Sequence, residues 1–333
     1  MKTLTAQARL QDRPRFNLFR RIPESGILLV LIILIILFSI VANNFFSAGN
    51  FINIARQITE VSIAAIGMTF VIITGEIDLS PGAIYGLSAA LCAYMLHNGV
   101  DPIIAVLVTL AVCACTGLIS GLFVTRMGLP AFIITLCVQM VARGAVYIIT
   151  GGASISRFPT TDNWFFALGS KLGGVFPVQI FLMVILVIVF AIILKRTRFG
   201  FKIYAVGGNI RAAEVSGINT KRTKVIAFML SSTLAAVSGL ISLAYLKSLY
   251  PTAGSGKEMD IVAACILGGT SMAGGSGTIP GTLIGAAIIG VIRNALVLLG
   301  VDTYYQEATV GLVILLGVCI DVILKRRNAA RLG

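Results

Sequence analysis

Long apolar runs recur along nearly the whole chain, and they restrict what it can fold into more than any other feature. A helix needs about 20 predominantly apolar residues to cross the hydrocarbon core of a bilayer. Runs approaching or reaching that length fall at 25–42, 59–75, 81–97, 103–125, 130–150, 177–194, 225–247, 260–273, 281–299 and 307–324. Charged residues make up only 12% of the 333, against about 25% in an ordinary soluble domain. The expectation is an all-α polytopic membrane protein with about ten transmembrane helices. One membrane domain would cover 25–324, between short polar tails at 1–24 and 325–333.

The joints between runs carry their own signals. A basic start before an apolar run also describes a signal peptide. The run at 25–42 is longer than a usual signal core and further spans follow, so an uncleaved first span is expected. Residues 43–58 read as an interfacial connector. Ser80 followed by Pro81 reads as a helix start, with a hydroxyl N-cap and proline at the first helical position. Gly117-x-x-x-Gly121 and Gly281-x-x-x-Gly285 have the small-residue spacing that lets membrane helices approach closely. Residues 151–176 read as a polar loop.

The distribution of basic residues sets the orientation. Under a ten-span reading, nineteen of the 26 Lys and Arg fall on the side of the two tails and four, Arg157, Lys171, Lys247 and Lys257, on the other. Basic residues accumulate in cytoplasmic loops, so both termini are expected in the cytoplasm. The same bias accounts for the formal charge of +13 without a nucleic-acid partner. It also places 195–224 in the cytoplasm, the one long internal segment that is polar and basic, with eight Lys or Arg and a single acid, Glu214. Inside it Asn209 is a natural N-cap, 210–216 fit about two helical turns, and Gly217 suits the position after the helix. So short a helix is not stable alone; it needs a surface to dock on.

An offset of 199 residues aligns Ala64, Ala65, Gly75, Pro81, Gly82 and Gly86 with Ala263, Ala264, Gly274, Pro280, Gly281 and Gly285. Each copy is a span, a glycine-bearing turn and a span opened by Pro-Gly. This points to an internal pseudo-repeat, an arrangement found in many transporters.

Signs of catalysis are absent. The six cysteines lie in apolar segments with no metal-ligand spacing, and the only histidine, His97, has no paired nucleophile. The run AGSGK at 253–257 resembles part of a phosphate-binding loop. It lacks the following Ser or Thr and the earlier glycine, so ATP hydrolysis is not expected in this chain. Ionisable and polar groups inside spans are candidates for a translocation path. Arg143 has Gln139 one turn below on the same face, and Arg293 adjoins Asn294. Asp78 lies just before the third span, where its charge suits the helix N-terminus. A stand-alone ion-coupled carrier is the alternative reading, but no buried chain of Asp, Glu and His supports it.

Four blocks in order carry a family resemblance: TGEIDLSPG at 74–82, LPAFIITL at 129–136, TRFGFKIYAVGGNIRAAEVSGINTKRTK at 197–224 and ILGGTSMAGGSGTIPGTLIGAAIIG at 266–290. Over residues 50–324 the chain resembles the permease subunits of ribose-type ABC importers, the sugar members of the branched-chain-transport permease superfamily. In that family glycine is usual where this chain has Glu76, and valine frequent where it has Pro81; Asp78 and Ser80 match the motif. The resemblance implies a multi-pass protein of the bacterial inner membrane that binds no cofactor itself. ATP and Mg would sit on a separate ATP-binding subunit, a periplasmic binding protein would deliver a sugar-like solute, and a second permease subunit, identical or homologous, would complete the pore. It also implies that Gly208, Asn209, Arg211, Ala212, Ala213, Glu214, Ser216 and Gly217 form the coupling helix that meets the ATPase.

Overall fold

Most helices begin where the local sequence supplies an acceptor or a proline, and the computed structural model describes residues 25–302, 305–312 and 315. The helices are α1 (Ser25–Val41), α2 (Ala48–Ile73), α3 (Pro81–His97), α4 (Pro102–Arg126), α5 (Ala131–Thr150) and α6 (Trp164–Ala167). A two-stranded hairpin, β1 (Lys171–Leu172) and β2 (Phe176–Pro177), leads into α7 (Val178–Arg196). Then follow α8 (Arg198–Gly208), α9 (Ile210–Val215), α10 (Thr220–Leu246), α11 (Lys257–Leu267) and α12 (Ile279–Leu298). Residues 305–312 are also helical. Ser47, Asp101, Thr197, Asn209, Asn219 and Thr278 each accept a hydrogen bond from the first turn of the helix they precede, satisfying amides that have no partner within the helix.

Six of these helices, α2, α4, α5, α7, α10 and α12, are long and apolar enough to cross a membrane; α1 is apolar but shorter, at 17 residues. They form an inner and an outer layer. Over their most apolar stretches α2 and α10 are 78% and 72% buried, while α5 and α7 are 17% buried. The outward faces of α7, with Phe181, Ile185, Ile188 and Ile192, are about half exposed in the isolated chain. Lipid tails are as apolar as these side chains, so a bilayer covers them at no cost.

Packing between the inner helices depends on missing side chains. A Cβ on Gly117 would lie 2.5 Å from the Phe228 carbonyl oxygen, and one on Gly121 would lie 2.8 Å from Val225 Cα. The small-residue spacing read from α4 therefore marks its seam with α10. Polar groups inside the layer pair locally or across helices. Thr69 and Thr282 hydroxyls are 2.7 Å apart, and the Cys265 thiol donates to the Ala65 carbonyl at 3.4 Å.

Several boundaries differ from those expected. Residues 48–58 are not a connector but the first turns of α2. Their polar side chains have partners in the fold: Asn50 bonds to Asn294, and the Arg56 guanidinium lies 4.4 Å above the Tyr245 ring. The run at 260–273 is helical only to Leu267, with Gly269 turning the chain at φ 83°. The loop at 151–176 contains α6 and most of the hairpin. Ser80 does not cap α3 with its hydroxyl. Instead its backbone N–H and hydroxyl both donate to Asp78 Oδ1, at 2.9 and 2.6 Å, and Ser231 donates to Asp78 Oδ2 at 2.9 Å. Asp78 is fully buried, and a buried carboxylate requires these donors. Most of the expected span at 307–324, and both tails, lie outside the described residues.

Candidate transport site

The short helix α11 starts inside the bundle, and three charged residues in its first turn each pair with a different helix. Lys257 Nζ meets Glu60 Oε2 of α2 at 2.8 Å. Glu258 accepts from Gln139 Nε2 of α5 at 3.0 Å, and its other oxygen lies 3.7 Å from Arg143 Nη2. Asp260 Oδ1 accepts from Arg293 Nη2 of α12 at 2.8 Å. The three anions are largely buried, and pairing is what makes charge tolerable there. At about 1.5 Å per residue, the 11 residues of α11 cover only half the apolar thickness of a bilayer, as in the interrupted helices of many transporters.

A stripe on α5 supports this turn. Thr135, Gln139 and Arg143 are spaced four apart, so they share one face. Thr135 accepts from the Leu79 amide at 3.0 Å, Gln139 holds Glu258, and Arg143 Nη1 donates to the Ala253 carbonyl at 2.6 Å. Each rung therefore serves non-helical backbone or the first turn of α11.

Two cavities open beside α11. The larger, about 700 Å³, lies between α2, α11, α12 and residues 307–311, and includes Arg56, Glu60, Lys257, Asp260, Arg293 and Glu307. The smaller, about 340 Å³, lies between α2, α3, α10 and the 248–254 loop, and includes Glu60, Tyr85, Ser242 and Lys257.

At the other end of the bundle, α9 projects from the body. Asn209 accepts from the Ala212 amide at 3.0 Å, and Gly217 takes φ 80° after the last turn. Glu214 accepts from the Thr220 hydroxyl at 2.9 Å. Only Ala213 is buried; Val215 is 91% exposed. Behind α9, the end of α8 presses on both glycine turns. A Cβ on Gly207 would strike the Ile73 carbonyl oxygen, one on Gly274 would lie 3.0 Å from Gly207 O, and one on Gly275 would lie 2.9 Å from Gly208 Cα. Gly275 N donates to Ile73 O at 2.8 Å, and Tyr204 donates its hydroxyl to Gly277 O at 2.7 Å.

A family model described as the permease component of the branched-chain amino acid transport system matches residues 50–318. The chain belongs to that permease family. It is 43% identical over 322 residues to the ribose import permease protein of Bacillus subtilis strain 168, covering 96% of this chain and 98% of that one. It is 36% identical over 314 residues to a probable ABC transporter permease protein of Escherichia coli strain K12, covering 93% and 92%. With the xylose transport system permease protein of Haemophilus influenzae it shares 32% identity, covering 90% of this chain and 96% of that one. No solved structure gives a significant match. The chain is thus a multi-pass inner-membrane permease subunit of an ABC importer, a transport component and not an enzyme.

The permease brings together some of the residues singled out from its sequence and separates others. Gln139 and Arg143 converge on Glu258, and Arg293 lines the larger cavity. Asn294 points elsewhere: it exchanges two hydrogen bonds with Asn50, at 2.9 and 3.0 Å, and lines neither cavity. The sequence reading missed Glu60, Tyr85, Glu258 and Asp260, and took Lys257 only as a loop charge. One signal was available: Glu60 is an acid just inside the run at 59–75, and intramembrane acids are seldom idle.

Proposed function

We propose that this permease forms the translocation path for a neutral sugar or sugar-like solute, handed over by a periplasmic binding protein. The reading is supported by the ribose and xylose permeases among its relatives. A chain of ten spans with both termini in the cytoplasm fits the charge bias, and a second permease subunit would complete the pore. ATP and Mg are assigned to a separate ATP-binding subunit, which meets residues 208–217.

The observation that carries the coupling role is the exposure of a capped helix. α9 is hydrogen-bonded at both ends, yet turns Ile210, Arg211, Ala212, Glu214 and Val215 away from the body. A two-turn helix with exposed apolar residues is a docking element in search of a groove. Movement imposed on it by ATP binding would pass through α8 to the turns at 73–75 and 274–277, which α8 touches without intervening side chains. Those turns join α2 to α3 and α11 to α12, so both hairpins of the pseudo-repeat would respond. Gln139, Arg143 and Arg293 are assigned to the path through the charged turn they hold, with Asn294 bracing α12 against α2.

The test is an Ala212→Pro variant. Proline within α9 removes an amide that Asn209 caps and breaks the short helix. The variant should reach the membrane but lose co-purification with the ATP-binding subunit and ATP-driven ribose uptake. Normal association together with normal uptake would remove the coupling role from this segment.

A further inference from the structure

Glu60 and Lys257 are the two residues common to the linings of both cavities. Their ion pair is therefore a partition. Glu60 Oε2 is held at 2.8 Å by Lys257 Nζ and at 2.8 Å by the Tyr85 hydroxyl, and Ser242 lines the smaller cavity with them. The Lys257 ammonium also sits 4.8 Å over the Tyr85 ring. All four groups face one cavity or the other.

The larger cavity also limits the solute. Its lining carries three cations, Arg56, Lys257 and Arg293, and three carboxylates, Glu60, Asp260 and Glu307. Their charges cancel. Lys257 and Arg293 are already paired with Glu60 and Asp260, and Arg56 is stacked on Tyr245. An anion seated at Lys257 or Arg293 would have to dismantle those pairs and leave Glu60 or Asp260 uncompensated, which is costly in a poorly solvated site. Hydroxyl groups need not do so. A paired carboxylate retains lone pairs and a paired ammonium retains N–H groups, so a polyhydroxy molecule can bond along the edge of the pairs. Only at the partition must one pair open.

We propose that Glu60 and Lys257 are solute-contacting residues, which exchange their mutual bond for bonds to the hydroxyls of a neutral polyhydroxy solute as it passes from one cavity to the other. This rests on the importer reading above and names the point of contact within it.

The experiment uses the whole transporter, purified through a tagged permease with its ATP-binding subunit, reconstituted in liposomes and supplied with its binding protein. ATP-driven uptake of ribose and of 2-deoxyribose is measured for wild type, Glu60→Gln and Lys257→Met, with Lys171→Gln in the exposed outer hairpin as the control. The binding protein is common to all, so its own selectivity cancels when variant and wild-type ratios are compared. The two pair variants should change the ribose to deoxyribose ratio by about tenfold, the scale of one hydrogen bond to a charged group, and the control should not. Assembled pair variants whose ratio stays within about twofold of wild type overturn the proposal. Should both solutes cease to move, Glu60→Asp and Lys257→Arg, which keep the charges but displace the hydrogen-bonding atoms, are read by the same ratio with the same two outcomes. Should the single variants fail to assemble, Tyr85→Phe, which keeps the ion pair but removes one donor to Glu60, is read by the same ratio with the same two outcomes. A wild-type transporter that moves none of a panel of neutral pentoses, hexoses and polyols would sink the importer reading instead.

Discussion

Gly75 and Gly274 face each other with no side chain between them: a Cβ on Gly274 would lie 3.0 Å from the Gly75 nitrogen and 3.1 Å from its Cα. Both are left-handed, at φ 83° and 82°, and an offset of 199 residues aligns them in the sequence. Gly274→Ala combines a left-handed strain of about 1–2 kcal/mol with a steric shift of the opposing turn. The detergent-purified protein should melt a few degrees lower, as read by a thermal-shift assay. An unchanged midpoint would show that the turns separate freely.

Gly207→Ala acts on the same junction from the end of α8. Its Cβ would strike Ile73 O, so α8 must lift from the turn. Because α9 itself is untouched, association with the ATP-binding subunit should persist while uptake per ATP hydrolysed falls. The measurement is uptake and phosphate release in the same liposomes. Parallel loss of both would point to misassembly instead.

The Arg143–Glu258 contact predicts a non-additive pair. The side chains are 18% and 13% exposed, so Arg143→Ala leaves a largely buried carboxylate without its cation, while Arg143→Ala with Glu258→Gln does not. The double variant should be less destabilised than the sum of the singles, with a coupling of about 0.5–3 kcal/mol. Additive melting shifts would show that the pair is held apart by its surroundings.

Asn50 and Asn294 predict the reverse balance of stability and function. Their paired amides are buried, and Asn294→Leu strands the partner's polar groups at about 1–3 kcal/mol. Melting should fall while sugar uptake by the surviving assembled protein stays near wild type. Uptake lost without a change in melting would move Asn294 into the path.

Much of the fold was legible because the strongest local signals agree with one another. Pro81 opens α3 and His97 ends it, as the Ser-Pro start and the Asn98-Gly99 turn indicate. The capped helix after Asn209 was equally plain, since the cap and Gly217 act within a few residues. The end of α11 was not, because the residues after Gly268-Gly269, Thr270 to Ala273, carry no charge and hydropathy does not register a left-handed turn. The start of α2 was hidden by Asn50 and Arg56, polar residues whose partners lie some two hundred positions away. The same separation hid the charged turn: Glu60 and Lys257 are 197 residues apart, and no periodicity relates them. The α5 stripe was half visible, as Gln139 and Arg143 share a face, but what that face grips is set by α11 and by the loop before it.

That stripe restricts how α5 can travel. Three rungs on one face engage Leu79, Glu258 and Ala253 together. Turning the helix by a single residue's 100° would swing all three away at once, toward lipid that offers no replacement partners. Rotation about its own axis is thus locked. During a transport cycle α5 is left to ride as one body with α3 and the first turn of α11, like a key that turns only with its cylinder.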